Sequence, residues 1–163
     1  MFFLAGCAVP RLLWPQKDVT ASGTATIDKR QTVIIASRSS EYKKTLVAEL
    51  HKQLASANIP QKTIGVDDLR EFDTSDYPVI VVINTCLAWG LDHDIETFLK
   101  QQKLHTNIIL MTTSGDGEWL PDKRGREFDA ISGASTMTNI DAVTRDLMAR
   151  IRKRLNQQDT PRK

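Results

Sequence analysis

The chain has 163 residues, of which 40% are hydrophobic and 26% charged, with a formal net charge of +2. That is the length of one domain plus a tail, at an ordinary globular composition with no sign of a nucleic-acid partner. Two cysteines are too few for a disulfide scaffold, and the three histidines show none of the CxxC, HxH or HExxH spacings of a metal site, so no metal is expected.

In chain order, Met1–Val9 is almost wholly apolar and contains Leu4-Ala5-Gly6-Cys7. These four residues resemble a bacterial lipobox, in which small residues precede a cysteine that becomes lipidated. The resemblance implies that residues 1–7 are a shortened lipoprotein signal. Cys7 would then carry the lipid and anchor the protein on the periplasmic side of the cell envelope. A secretory signal needs a basic region and an apolar stretch of about 7–15 residues, whereas only Met1-Phe2-Phe3 precedes the box. Two alternatives stay open: a start set downstream of the true one, or an apolar arm packed on a cytoplasmic domain. The apolar run stops at Pro10-Arg11, well short of the roughly 20 residues of a membrane span. Residues 8–31, with Pro10, Pro15 and the small polar stretch Thr20–Thr26, read as a tether.

The domain is expected over residues 32–156. Thr32–Ala36 is an apolar, β-branched run suited to a strand covered on both faces. Ser39 or Ser40 can cap a helix over 41–57, where Leu46, Val47, Leu50 and Leu54 form one face. Gln61–Val66 reads as a short strand, and Asp67–Tyr77 as a polar connection with at most a brief helix. Pro78–Asn84 is the most apolar strand and is expected at the centre. A helix follows over 91–103, then a strand over Asn107–Met111. Residues 112–128 hold four turn formers and no helical periodicity, so a long loop stands where a crossover helix is expected. Phe128–Ile131 reads as a short edge strand. Thr138 or Asn139 caps a last helix with its apolar stripe at Ile140, Val143, Leu147, Ile151 and Leu155. Residues 150–163 carry six cations against Asp159, a net of +5 that leaves about −3 on the rest. This end reads as a helix C-terminus with cations suited to its dipole, followed by a basic tail over 157–163; contact with phosphate or anionic lipid is the competing reading.

Alternation of strands and helices implies a doubly wound, mainly parallel five-stranded sheet in a three-layer α/β/α fold. In such sheets ligands bind outside the carboxyl ends of the strands, so the four segments that follow strands are the candidate surface. In the first, Ser37, Ser39 and Ser40 lead into a helix N-terminus, a place suited to an anion, although no glycine is present and Glu41 opposes one. An ordinary serine cap is the alternative. In the second, Thr85, Cys86, Trp89 and Gly90 offer a flat aromatic face and a tight turn; Trp89 as simple core cover is the alternative. Cys86 has no base beside it, and Asp92-His93-Asp94 reads as the opening of a helix rather than a metal site. In the third, Ser114, Gly115, Asp116 and Gly117 form a turn whose amides can meet a ligand carbonyl, and Trp119 is a second stacking candidate.

Residues 84–90 and 112–119 resemble the two ring-flanking loops of flavodoxins, and Ser37–Ser40 stand where that family's phosphate loop stands. The resemblance implies a flavodoxin-like fold over roughly 31–156 and FMN as cofactor. Ser37, Ser39 and Ser40 would face the phosphate, with Trp89 and Gly115–Gly117 flanking the ring. It also implies electron transfer with a redox or envelope protein partner; a cofactor-free binding or assembly component is the alternative. Glu41, Tyr42 and Lys43 depart from the family's phosphate loop. In the fourth segment, Asp129–Ser135 is similar to the motif of periplasmic proteins that carry FMN on a threonine, with Ser135 in the threonine's place; a serine-rich lead into the helix cap is the alternative. No nucleophile–base pair is visible for a hydrolase or transferase.

Overall fold

The computed structural model describes residues 17–23, 28–86 and 89–158. Five parallel strands form the sheet: β2 (Val33–Ser37), β3 (Gln61–Gly65), β4 (Val79–Thr85), β5 (Ile108–Ser114) and β6 (Asp129–Ala134). A two-residue strand, β1 (Ser22–Gly23), is added antiparallel to β3, giving the order β1-β3-β2-β4-β5-β6. Three helices cover the sheet: α1 (Glu41–Ser56), α2 (His93–Gln101) and α3 (Ile140–Gln158). The expected doubly wound sheet is therefore present, and no helix stands between β5 and β6.

The sheet is buried on both faces, which explains why its strands read as unbroken apolar runs. Alternate residues feed two separate cores. Val33, Ile35, Val81, Ile83 and Met111 pack against Leu46, Leu50, Leu147 and Ile151 of α1 and α3. Ile34, Ala36, Ile80, Val82 and Leu110 pack against Ile95, Phe98 and Leu99 of α2 and against Leu69. The Asp67–Tyr77 stretch makes two short 3-10 turns, Asp67–Glu71 and Thr74–Asp76.

Three details differ from the sequence expectation. Strand β5 runs on through Thr112, Thr113 and Ser114, because the ladder continues on both sides: Thr113 opposes Thr85, and Ser114 opposes Ala134. Strand β6 likewise reaches Ala134, so Ser132 and Gly133 are strand residues. Residues 17–23, expected within the tether, lie on the domain: Asp18 bridges to Arg38 and Ser22–Gly23 pair with β3. Cys7 and the rest of residues 1–16 lie outside the described residues, as do residues 159–163 of the expected basic tail.

Candidate functional site

The segment after β4 is pinned at both ends. Cys86 extends the ladder by donating its amide to the Thr113 carbonyl at 2.8 Å. Its sulfur accepts the backbone N–H groups of Trp89 and Gly90, and burial pushes its thiol pKa up. A raised pKa disfavours the thiolate, the reactive form of cysteine. At the far end, the Asp92 amide donates to Asn84 Oδ1 at 2.9 Å, and the Asp92 carboxylate caps α2 by accepting from the Asp94 amide at 2.9 Å. Between these anchors Trp89 adopts φ +59, a left-handed conformation that costs a non-glycine residue about 1–2 kcal/mol. It is 75% exposed. A strained backbone that presents a large aromatic ring to solvent is unusual for a residue whose task is packing.

The segment after β5 holds itself together. Ser114 Oγ donates to Asp116 Oδ1 at 2.7 Å, the Gly117 amide donates to Ser114 Oγ at 2.9 Å, and the Glu118 amide donates to Asp116 Oδ1 at 3.1 Å. These bonds, the Glu118 amide first, hold the Asp116 carboxyl below the usual carboxylate range. The Gly117 and Glu118 amides are thus directed into the turn. Gly117 is required here: its φ is +78, and a Cβ would collide with the Ala134 backbone nitrogen. Gly115 has open space around it.

The long connection from Glu118 to Phe128 then crosses back toward α2. A cleft of about 300 Å³ opens between the two segments, with Trp89, Gly90, Leu91 and Glu96 on one side and Trp119–Asp122, Arg124 and Arg126 on the other. That volume is at the small end of ligand pockets. Glu96 pairs with Lys100 at 3.0 Å and Arg124 at 3.4 Å; the Lys100 hydrogen bond foremost holds its carboxyl below the ordinary range. Arg126 donates through Nε to the Lys123 carbonyl at 3.1 Å and lies 5.8 Å from the Phe128 ring centroid. Its Nη1 is buried with no hydrogen-bond partner. A cleft lined by two tryptophans suits a planar ring.

Of the residues singled out from sequence, Trp89, Gly90 and Trp119 line this cleft. Ser114, Gly115, Asp116 and Gly117 shape the turn beside it and are not among its lining residues. Leu91, Glu96, Arg124 and Arg126 were missed; the length of the 112–128 loop was the one signal pointing to the last two.

The segment after β2 is occupied by the chain itself. Ser37 is fully buried and donates Oγ to the Arg38 carbonyl at 2.8 Å. The Ser39 amide donates to the Lys17 carbonyl at 2.5 Å, and the Val19 amide to the Ser37 carbonyl at 3.3 Å. Ser40 is the α1 cap, its Oγ accepting from the Lys43 amide at 3.2 Å. Arg38 points inward, with Nη1 at 2.8 Å from Asp18 and 2.9 Å from Asp67, Nη2 at 2.5 Å from Asp94 and Nε at 3.5 Å from Asp92. Burial works against its charge, but the Asp67 hydrogen bond and the surrounding carboxylates more than reverse that, so the guanidinium stays charged. Lys43 is 2% exposed and donates Nζ to Thr85 Oγ1 at 2.5 Å. Burial brings its pKa down to about 8. Thr85 therefore serves a buried lysine. Ser135, after β6, is exposed and donates its amide to the Ser114 carbonyl at 3.2 Å.

No family model matches the chain. No curated protein matches it either. Solved structures do. A flavo di-iron protein mutant from Thermotoga maritima aligns over 79% of this chain with a TM-score of 0.56 and 11% identity. A flavodoxin from the domain Archaea aligns over 76% of this chain and 97% of its own, with a TM-score of 0.55 and 13% identity. Rubredoxin oxygen:oxidoreductase from Desulfovibrio gigas aligns over 82% of this chain with a TM-score of 0.52 and 11% identity. The chain spans 36% of the flavo di-iron protein and 38% of the oxidoreductase. At these identities the likeness is one of fold: the domain is flavodoxin-like.

Proposed function

We propose that this chain is a flavodoxin-like module that receives a planar ring in the cleft between Trp89 and Trp119, with a flavin as the ring and electron transfer as the task. The carrying observation is the exposure of Trp89 on a left-handed backbone in a cleft that Trp119 also lines. The fold it shares with a flavodoxin supports the flavin over other planar rings. Stacking on an indole supplies affinity.

FMN as a whole does not fit. The ring end has its aromatic faces, but the phosphate end has its Ser39 amide bonded to Lys17 and carboxylates from Asp18, Asp67, Asp92 and Asp94 around its arginine. That same filled position favours a second reading, a cofactor-free binding or assembly component. Titration of riboflavin with the purified protein separates the two: quenching of flavin fluorescence that saturates supports the ring-binding module, and its absence supports the component without cofactor.

The envelope location belongs to the same proposal and rests on Leu4–Cys7 alone. Palmitate labelling that is lost in Cys7→Ser and kept in Cys86→Ser supports the anchor. Absence of label in the wild type leaves the cytoplasmic alternative.

A further inference from the structure

We infer that Asp18 is a built-in anion: its carboxylate sits beyond the carboxyl ends of β2 and β3, takes the Arg38 and Asp67 donors that a phosphate would otherwise use, and restricts the cleft to ligands without a phosphate group. A strand that runs into a helix N-terminus ordinarily offers free amides and the positive end of the helix dipole to an anion. Here Ser40 caps α1 by accepting from the Lys43 amide, and the Ser39 amide is bonded to the Lys17 carbonyl. Residues 17–19 lie antiparallel to Ser37–Ser39. The Asp18 carboxylate takes one hydrogen bond from Arg38 Nη1 at 2.8 Å and another from the Asp67 amide at 2.9 Å. Both partners are what a phosphate oxygen would use.

A second observation shows that the place is shaped for this carboxylate. Gly65, at the end of the neighbouring strand β3, has its would-be Cβ position overlapping Asp18 Oδ2. Glycine is therefore what lets the carboxylate sit there. Electrostatics close the site further. With Asp18 in place, a phosphate dianion would meet its charge directly and find Arg38 Nη1 and the Asp67 amide already bonded; removing Asp18 frees both donors. The consequence for ligand choice rests on the ring-binding reading above; the role of Asp18 does not.

Two measurements on the full chain test this. The first is thermal unfolding against inorganic phosphate, with ionic strength held constant by chloride. The wild type shows no phosphate-dependent rise in Tm. Asp18→Ala melts about 3–10 °C lower and recovers part of that loss as phosphate fills the vacated position, whereas Asp18→Asn, which keeps the side-chain shape, is not rescued. Stabilisation of the wild type by phosphate, or an Asp18→Ala protein that phosphate does not rescue, overturns the inference. The second measurement needs no variant: riboflavin and FMN bind the wild type within about threefold of each other. FMN bound about 100-fold tighter, the effect of two charge-assisted hydrogen bonds, overturns the inference while leaving the ring-binding reading intact. Binding of neither flavin overturns the ring-binding reading, and the phosphate rescue then decides the role of Asp18 by itself.

Discussion

Asp18 and Arg38, twenty positions apart in the chain, meet as neighbours across an antiparallel bridge, with Asp18 Oδ1 2.8 Å from Arg38 Nη1. The contact ties the N-terminal segment to the carboxyl end of β2. It also completes the shell around a cation that is almost wholly removed from water.

Arg38 is the keystone of that shell. Arg38→Met leaves Asp92 and Asp94 buried beside a neutral side chain and is expected to destabilise the fold by about 3–5 kcal/mol. The Asp18 side chain is 22% exposed, and Arg38 keeps three other carboxylates, so Asp18→Asn is expected to cost only about 1–2 kcal/mol. Urea unfolding of both variants checks the order; equal losses contradict it.

Gly65→Ala drives a methyl group into the Asp18 carboxylate. Overpacking of this kind costs about 1–3 kcal/mol. The expected signature is local: amide hydrogen exchange rises at Lys17–Gly23 and at Ser39, and little elsewhere. Uniform acceleration across the sheet would mean that Gly65 matters for the strand and not for the docked segment.

The two glycines of the Ser114–Gly117 turn separate cleanly. Gly117→Ala meets both a φ of +78 and the Ala134 backbone, and is expected to cost about 2–4 kcal/mol. Gly115→Ala meets nothing within reach and is expected to stay within about 0.5 kcal/mol of wild type. Denaturation midpoints compare them directly.

Lys43 gives a pH signature. Its pKa is about 8 in the folded protein against 10.5 for the ordinary side chain. Below pH 8 both states are charged and folding carries the full burial penalty; as pH rises from 8 toward 10.5 the folded side chain loses its proton first and the penalty is relieved. Wild-type stability from this group therefore rises across that window by up to about 3 kcal/mol. Lys43→Met escapes the penalty, so it is expected to be the more stable protein at pH 7, with an advantage that shrinks toward pH 10. Tyr42, raised by burial, is common to both proteins and cancels in the difference. A gap independent of pH contradicts the assignment to Lys43.

The sheet was legible because its signal is redundant. Val33–Ile35 and Val79–Ile83 are buried on both faces, so every residue in the run is apolar, and Ser40 and Asp92 cap their helices as their types suggest. The strand ends were read short at β5 and β6, because Thr112–Ser114 and Ser132–Ala134 are polar or small yet held in place by backbone ladders that a side-chain pattern does not register. The cleft was half legible: Trp89 and Trp119 stand out as costly to expose, while Arg126 looks like any loop cation until its packing over Phe128 is known. The docking of Asp18 was illegible, since it depends on Asp18 pairing with Arg38 and on Gly65 leaving room, a contact among three residues far apart in the chain.

The measurement that bears most directly on the central claim is quenching of riboflavin fluorescence by the full-length protein, repeated with Trp89→Ala and Trp119→Ala. The account predicts saturable quenching by the wild type, weakened about 5- to 100-fold in each variant as one stacking face is lost, with both variants melting close to wild type. Absence of saturable quenching, or affinity untouched by either substitution, would contradict it.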